Sequence, residues 1–318
     1  MIKRFFRDHS VHKKIVPFLD HFFLLRPTYF FNVWLSFISG LYVIQFSNFT
    51  DDIWGVNLTI KSLLLILGIT LFSAGCFINW QLNSKSNFKL QNKVSLFDDK
   101  ISASLGKRIQ YIYIITGGLF VLILDFMVIP ILFLILFLTT SILKIKNNET
   151  QTNELVLFST LLFLAGITHN FFRIGESFNL QLVINLIPFV FLIIILAVIH
   201  QLSRDQNFNK FIFKNIAITF LCIISILLGI VNNDPISATA PITILPFIFM
   251  LIIRNNEIDQ LRAIRYSILI MTVFLFSTYH QFIWLSFILY FISKYYYWHR
   301  FDFHYPKLVL ENDRNYTK

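Results

Sequence analysis

The chain has 318 residues, 56% of them hydrophobic and 14% charged, with a mean hydropathy of +0.67 and a net charge of +10. A soluble domain cannot bury that much apolar surface, and the apolar residues come in runs of roughly 20, the length at which a helix crosses a bilayer. The positive charge does not point to nucleic acid, because Lys and Arg are spread over loops rather than massed in one domain.

Runs such as IPILFLILFL (129–138) do not alternate, so a transmembrane barrel is excluded and the expected class is an all-α polytopic membrane protein. Residues 1–27 read as a cytoplasmic amphipathic segment carrying Lys3, Arg4, Arg7, Lys13, Lys14 and Arg26. They lack the small-residue cleavage site of a signal peptide, so the first span is expected to serve as the insertion signal. A transmembrane domain over 28–298 follows, and then a polar tail over 299–318. About nine spans are predicted, at 28–48, 59–80, 109–126, 128–146, 155–172, 180–202, 211–231, 237–254 and 266–293. Asp125 and the Pro130 region divide the third from the fourth, which makes a tight hairpin or a kinked pair. His280 and Gln281 interrupt the last run, either facing a water-filled cavity or marking a break between two short helices.

Loop charge alternates along the chain. Lysines 85, 89, 93, 100 and 107 follow the second span, Lys144 and Lys146 the fourth, Arg204, Lys210 and Lys214 the sixth, and Arg254, Arg262 and Arg265 the eighth. The intervening loops carry Asp51, Asp52, Asp125, Glu176 and Asp234, with Arg173 as the exception. The positive-inside rule then places the N-terminus and the even-numbered loops, 81–108 and 202–214 among them, in the cytoplasm. The expected location is a multi-pass position in a bacterial inner membrane. An odd number of spans would put the basic C-terminal tail outside, and a tenth half-span within the last run would reconcile this. His169, Asn170, Arg173 and Gln45 sit near outer span ends and are expected at the membrane interface. Cys76 and Cys222 both lie in apolar runs and imply no disulfide framework.

One stretch stands out, FINWQLNSKSN from Phe77 to Asn87, where an apolar run meets a lysine-rich loop. Asn79, Asn83 and Asn87 are spaced i, i+4, i+8, which aligns them near one face of a continuing helix. It belongs to a larger pattern. LLRPTYFFNVWLSFISGLYV carries Arg26, Pro27 and Gly40. LFSAGCFINWQLN ends the second span, Asn92-Lys93 follows in the loop, SILKIKN ends the fourth span, and HQLSRDQNFNKF follows the sixth. In order and spacing the chain resembles the UbiA family of intramembrane prenyltransferases.

The resemblance implies nine helices and two cytoplasmic Asp-rich motifs, after helices two and six. It also implies a reaction in which a prenyl diphosphate loses its diphosphate and the prenyl group passes to an acceptor. In the family, carboxylates hold Mg²⁺ on the leaving group, and Lys and Arg neutralise the rest. Here both motifs have lost their acids. Asn79 keeps the leading Asn, Trp80 and Asn83 stand where Asp is expected, and Asn87 takes the next Asp position. In the second motif His200, Ser203 or Arg204, and Asn207 occupy the aspartate positions, with Asp205 the one acid nearby.

The resemblance therefore implies a diphosphate-side set of Asn79, Asn83, Asn87, Lys93, Lys144, His200, Arg204, Asp205 and Asn207, with Asp98, Asp99 and Asp205 as weak metal candidates. Mg²⁺ is expected only if the family site is retained. Three readings follow. The first is a catalytically degraded protein that binds an isoprenoid, a quinone-like molecule or another lipid. The second is an active prenyltransferase with a metal-poor site, in which Lys85, Lys89, Lys93, Lys144, Arg204 and Lys210 bind the diphosphate directly. The third is a transporter or membrane-complex scaffold. Membrane lipids are partners in each reading.

Overall fold

A computed structural model of the chain describes residues 10–23, 25, 27, 30–46, 58–85, 103–141, 150–174, 180–202, 208–254 and 257–301. The described residues form helices α1 (Ser10–Phe23), α2 (Phe30–Phe46), α3 (Ile60–Lys85), α4 (Ala103–Leu124), α5 (Ile129–Ser141) and α6 (Thr150–Ile174). They continue as α7 (Leu180–Leu202), α8 (Phe208–Val231), α9 (Pro235–Arg254), α10 (Glu257–Thr278) and α11 (Gln281–Phe301). No strand occurs among the described residues. In a bilayer the helix is the natural element, because it satisfies its own backbone polar groups where water cannot.

Among the described residues, four segments are long and apolar enough to cross a membrane: Ile60–Asn79, Ser104–Leu124, Ile212–Val231 and Pro235–Arg254. Shorter apolar helical segments are Phe30–Phe46, Phe126–Thr140, Leu182–Leu196 and Tyr266–Thr278. Many phenylalanines point outward, including Phe126, Phe133, Phe137, Phe213, Phe220 and Phe291. Their number therefore reflects lipid contact to a large extent.

The expected spans map onto helices, with two refinements. Between the third and fourth spans Asp125 starts a single 3₁₀ turn, Phe126–Val128, by accepting a hydrogen bond from the Met127 amide at 3.1 Å. The ninth span proves to be two helices, α10 and α11, broken at Tyr279–His280. Of the two roles considered for His280 and Gln281, the break is the one found. Gln281 Oε1 accepts the Leu58 amide at 3.0 Å.

The helices cluster into two compact units. The first holds α1, the first turn of α2, α3 to α5, and α11. Its centre is the α3–α4 pair. With no hydrophobic drive between helices in lipid, association depends on close approach and hydrogen bonds. Glycines supply the approach: a Cβ on Gly117 of α4 would strike the backbone of Phe72, and one on Gly75 of α3 would lie 3.1 Å from the Gln110 carbonyl. Trp34 Nε1 donates to Thr70 Oγ1 at 3.0 Å, tying the start of α2 to α3. Tyr296 of α11 stacks on Phe23 of α1, with ring centroids 3.8 Å apart.

The second unit holds the rest of α2 and α6 to α10. Gly40 of α2 and Gly166 of α6 face each other so closely that a Cβ on either would run into a backbone carbonyl of the other helix, Phe163 and Phe37 respectively. Helices α8, α9 and α10 pack in sequence, and α7 packs against all three. Pro188 in α7 and Pro241 in α9 each lack the amide that would bond the carbonyl four residues back. Side chains from neighbouring segments take up both freed carbonyls. Asn232 Nδ2 donates to Ile184 O at 3.4 Å, and Ser225 Oγ approaches Ser237 O at 3.5 Å. This is how proline is tolerated at membrane depth.

Candidate functional site

Helix α3 runs past the predicted end of its span as far as Lys85, so Asn79 and Asn83 occupy one helical face. Asn79 is buried, at 7% exposure, beside the buried Cys76, Phe77 and Ile78. Asn83 belongs to the same helix, but its side chain lies outside the described residues, as do Asn87, Lys93, Asp98, Asp99 and Lys144. In the second unit, His200 sits in the last turn of α7 and its side chain is likewise outside the description. Arg204, Asp205 and Asn207 fall in 203–207, between α7 and α8, and also lie outside it.

The family resemblance implies Mg²⁺, and the donors in view can be compared with its needs. Mg²⁺ takes hard oxygen ligands, commonly carboxylates together with phosphates and waters. Helix α3 carries no Asp or Glu from Ile60 to Lys85, and α7 carries none from Leu180 to Leu202. A buried amide such as Asn79 brings a neutral oxygen and no charge. The donors on these two helices do not fit the metal.

The better-defined polar site lies elsewhere in the second unit. Helix α8 ends with Asn233 in the left-handed region at φ 55°, a conformation that Asn tolerates better than most residues. The Asp234 amide reaches back to Gly229 O at 2.8 Å, and the Asn233 amide to Ile230 O at 3.1 Å. Asp234 then caps α9, accepting the Ile236 amide at 3.0 Å, with Pro235 at the first helical position, where its missing amide costs nothing. Tyr42, from α2, donates its hydroxyl to the same Asp234 Oδ1 at 2.9 Å. Asp234 is 4% exposed. Burial pushes its carboxyl above the ordinary range, against the opposing pull of hydrogen bonds from Ser237, Tyr42 and Ile236.

Around this turn the unit is cross-tied. Tyr279 donates to Gln45 at 2.5 Å, joining the end of α10 to the end of α2. Asn170 of α6 donates to Leu41 O at 2.7 Å. His169 lies against Phe37, ring centroids 6.4 Å apart. His169 and Asn170 are buried, at 1% and 3% exposure. Helix α6 turns this face toward α2, where the small Gly40 and Gly166 let the two helices approach.

The opposite end of the same unit behaves differently. Asn215 in α8 is completely buried, and neither its Oδ1 nor its Nδ2 finds a hydrogen-bond partner among the described residues. Asp259 in α10 is 1% exposed. Its Oδ1 pairs with Arg262 at 3.0 Å, while its Oδ2 is buried and has no partner among the described residues. Sequence reading passed over Asn215, Asp259, Tyr42 and the burial of Asp234. Asn232-Asn233-Asp234-Pro235 is a legible stop-and-start signal, but the other three are ordinary polar residues until helices are packed round them.

No family model matches the chain, and no curated protein matches it by sequence. Among solved structures it is similar to one that gives structural and mechanistic insights into a digeranylgeranylglyceryl phosphate synthase in membranes. The alignment covers 80% of this chain and 97% of that one, at 16% identity and a TM-score of 0.52. At that identity the likeness speaks for the fold, and the chain is an all-α membrane protein with a UbiA-like fold.

Proposed function

We propose that the chain binds an isoprenoid or a related lipid within this fold and has lost the family's metal-assisted diphosphate chemistry. One observation carries the reading: the helix that ends in the first motif continues unbroken to Lys85, yet offers amides where the chemistry needs carboxylates. Loss of net negative charge at a hard-cation site removes most of its affinity for Mg²⁺. The structural neighbour, a digeranylgeranylglyceryl phosphate synthase, supports an isoprenoid ligand class. The helical frame and the site chemistry thus point to retained binding without the usual transfer. Other lipids of similar shape, quinone-like ones included, belong to the same reading.

The test is binding of geranylgeranyl diphosphate and of geranylgeraniol to the purified chain in detergent, each with Mg²⁺ and with EDTA. Isoprenoid binding that is indifferent to EDTA, without release of diphosphate, is the expected result. Magnesium-dependent tight binding with diphosphate release would overturn it. It would return the weak candidates Asp98, Asp99 and Asp205 to the role of metal ligands. Metal-independent transfer of the prenyl group would instead favour the second reading, in which Lys93, Lys144 and Arg204 hold the diphosphate as cations.

A further inference from the structure

Buried polar groups in a folded chain are nearly always paired, and each exception calls for an explanation such as a missing water, ion or ligand. In the second unit, among the described residues, the exceptions lie away from the Asp234 turn. Near that turn, Tyr42, Asn170, Asn232, Ser225 and Tyr279 each donate to a partner. Toward the start of α8 and α10 Asn215 lacks partners for both amide atoms and Asp259 lacks one for Oδ2, while Ser267, midway along α10, lacks one for Oγ.

Asn215 and Asp259 lie toward the same end by topology. Helices α8, α9 and α10 pack in sequence, with a turn at 232–234 between α8 and α9 and two residues between α9 and α10, so α8 and α10 both start at the same end. Both pack against α7, whose last turn is at that end too. Asn215 continues the buried stripe Ile218, Cys222 and Ser225 of α8, and Asp259 begins the buried stripe Ala263, Ser267 and Leu275 of α10. At 1.5 Å per residue, Asn215 lies about 10 Å into its helix and Asp259 about 3 Å into its own, within the length of one small polar head and its first carbons.

Ordinary structural roles account for part of this. Asp259 sits in the first turn of α10, where the helix dipole favours a carboxylate, and Arg262 balances its charge. That explains Oδ1. It leaves Oδ2 unexplained, and Asn215 lies well inside α8, where it caps nothing.

We infer that this end of the second unit takes the head of an isoprenoid that carries a hydroxyl, with Asn215 and Asp259 as the groups that recognise it. The inference rests on the isoprenoid-binding reading above. The donor requirement comes from Asp259: Oδ2 only accepts, and a diphosphate oxygen only accepts, so the two repel. A hydroxyl donates its one hydrogen to Oδ2 and accepts from Asn215 Nδ2, leaving Asn215 Oδ1 to a water.

The experiment compares geranylgeraniol, geranylgeranyl diphosphate and the hydrocarbon phytane on the full chain in detergent, reading affinity by tryptophan fluorescence and stability by thermal unfolding. The wild type is expected to prefer the alcohol. Asn215→Leu should weaken alcohol binding about tenfold or more, the size of one buried polar contact, and leave phytane unchanged. Without ligand, N215L should unfold no lower than the wild type, since it removes an unpaired buried amide. Asp259→Asn removes the repelling charge and should narrow the preference for alcohol over diphosphate.

Equal alcohol binding by N215L would show that an ordered water fills the site, and would overturn the inference. A ligand-free N215L that melts several degrees lower would show a structural partner for the amide, with the same consequence. An unchanged alcohol preference in D259N would refute the role of Asp259. A wild type that prefers the diphosphate refutes the inference while leaving isoprenoid binding intact, whereas a wild type that binds none of the three refutes both.

Discussion

Replacing Tyr42 by Phe removes one oxygen from the second unit and almost no volume, so it isolates a hydrogen bond from packing. The bond is 2.9 Å long and ends on a carboxylate that is 4% exposed. A hydrogen bond to a charged group contributes about 1.5–3 kcal/mol, and the deleted hydroxyl leaves too small a void to add a cavity cost of its own. The unfolding equilibrium should therefore shift by roughly ten- to a hundredfold at neutral pH.

The assay is unfolding in mixed micelles by titration with SDS, followed by circular dichroism. The pH dependence has a definite sign. Burial raises the folded-state pKa of Asp234, so between the unfolded and the folded pKa the folded form holds a proton that the unfolded form has lost. Stability is then highest below the unfolded carboxylate range and falls as pH rises through the folded pKa, by about 1.4 kcal/mol for each pH unit across which that difference persists. Asp234→Asn keeps a capping oxygen, abolishes this slope, and should cut the cost of Tyr42→Phe in a double-mutant cycle. A Tyr42→Phe cost below about 0.5 kcal/mol at neutral pH, or full additivity with D234N, would refute the reasoning.

Gly166→Leu should prevent α2 and α6 from closing, because its side chain meets the Phe37 carbonyl; expression with a native-like melting transition would contradict this. Gly118, which has open space around it, is the control, and Gly118→Ala should leave the melting temperature within a degree or so or raise it slightly. Asn232→Leu should destabilise by about 1 kcal/mol through loss of the donor to the Pro188-freed Ile184 carbonyl, and Pro188→Ala should suppress that cost in a double-mutant cycle. Trp34→Phe, which removes the donor to Thr70, should cost a similar amount in the first unit and leave the pH slope due to Asp234 untouched.

Much of this protein is legible in the amino-acid sequence alone. Hydropathy runs place α7 on its predicted residues, 180–202, and bring the other spans within about six residues of the observed helices, apart from the ninth, since a span must be long and apolar whatever it packs against. Turn chemistry is equally local: Asp125 and the Asn233-Asp234-Pro235 sequence stop and restart helices by bonds within four or five residues. The resemblance carried by Arg26-Pro27, the Ala74-Gly75 run with Asn79, and Asn92-Lys93 anticipated the UbiA-like fold.

Which polar residues are paired is settled only by the tertiary structure. Tyr42 and Asp234 are 192 residues apart, and nothing in either neighbourhood announces the other. Asn215 and Asn170 look alike as single asparagines in apolar helices. Packing gives Asn170 the Leu41 carbonyl, and gives Asn215 no partner among the described residues. Helix formation follows from the chain's local composition because backbone hydrogen bonds must close within each segment in lipid. The fate of each buried side chain depends on which helix faces it, and that is decided by where glycines let backbones approach and where prolines free a carbonyl for a neighbour to bond.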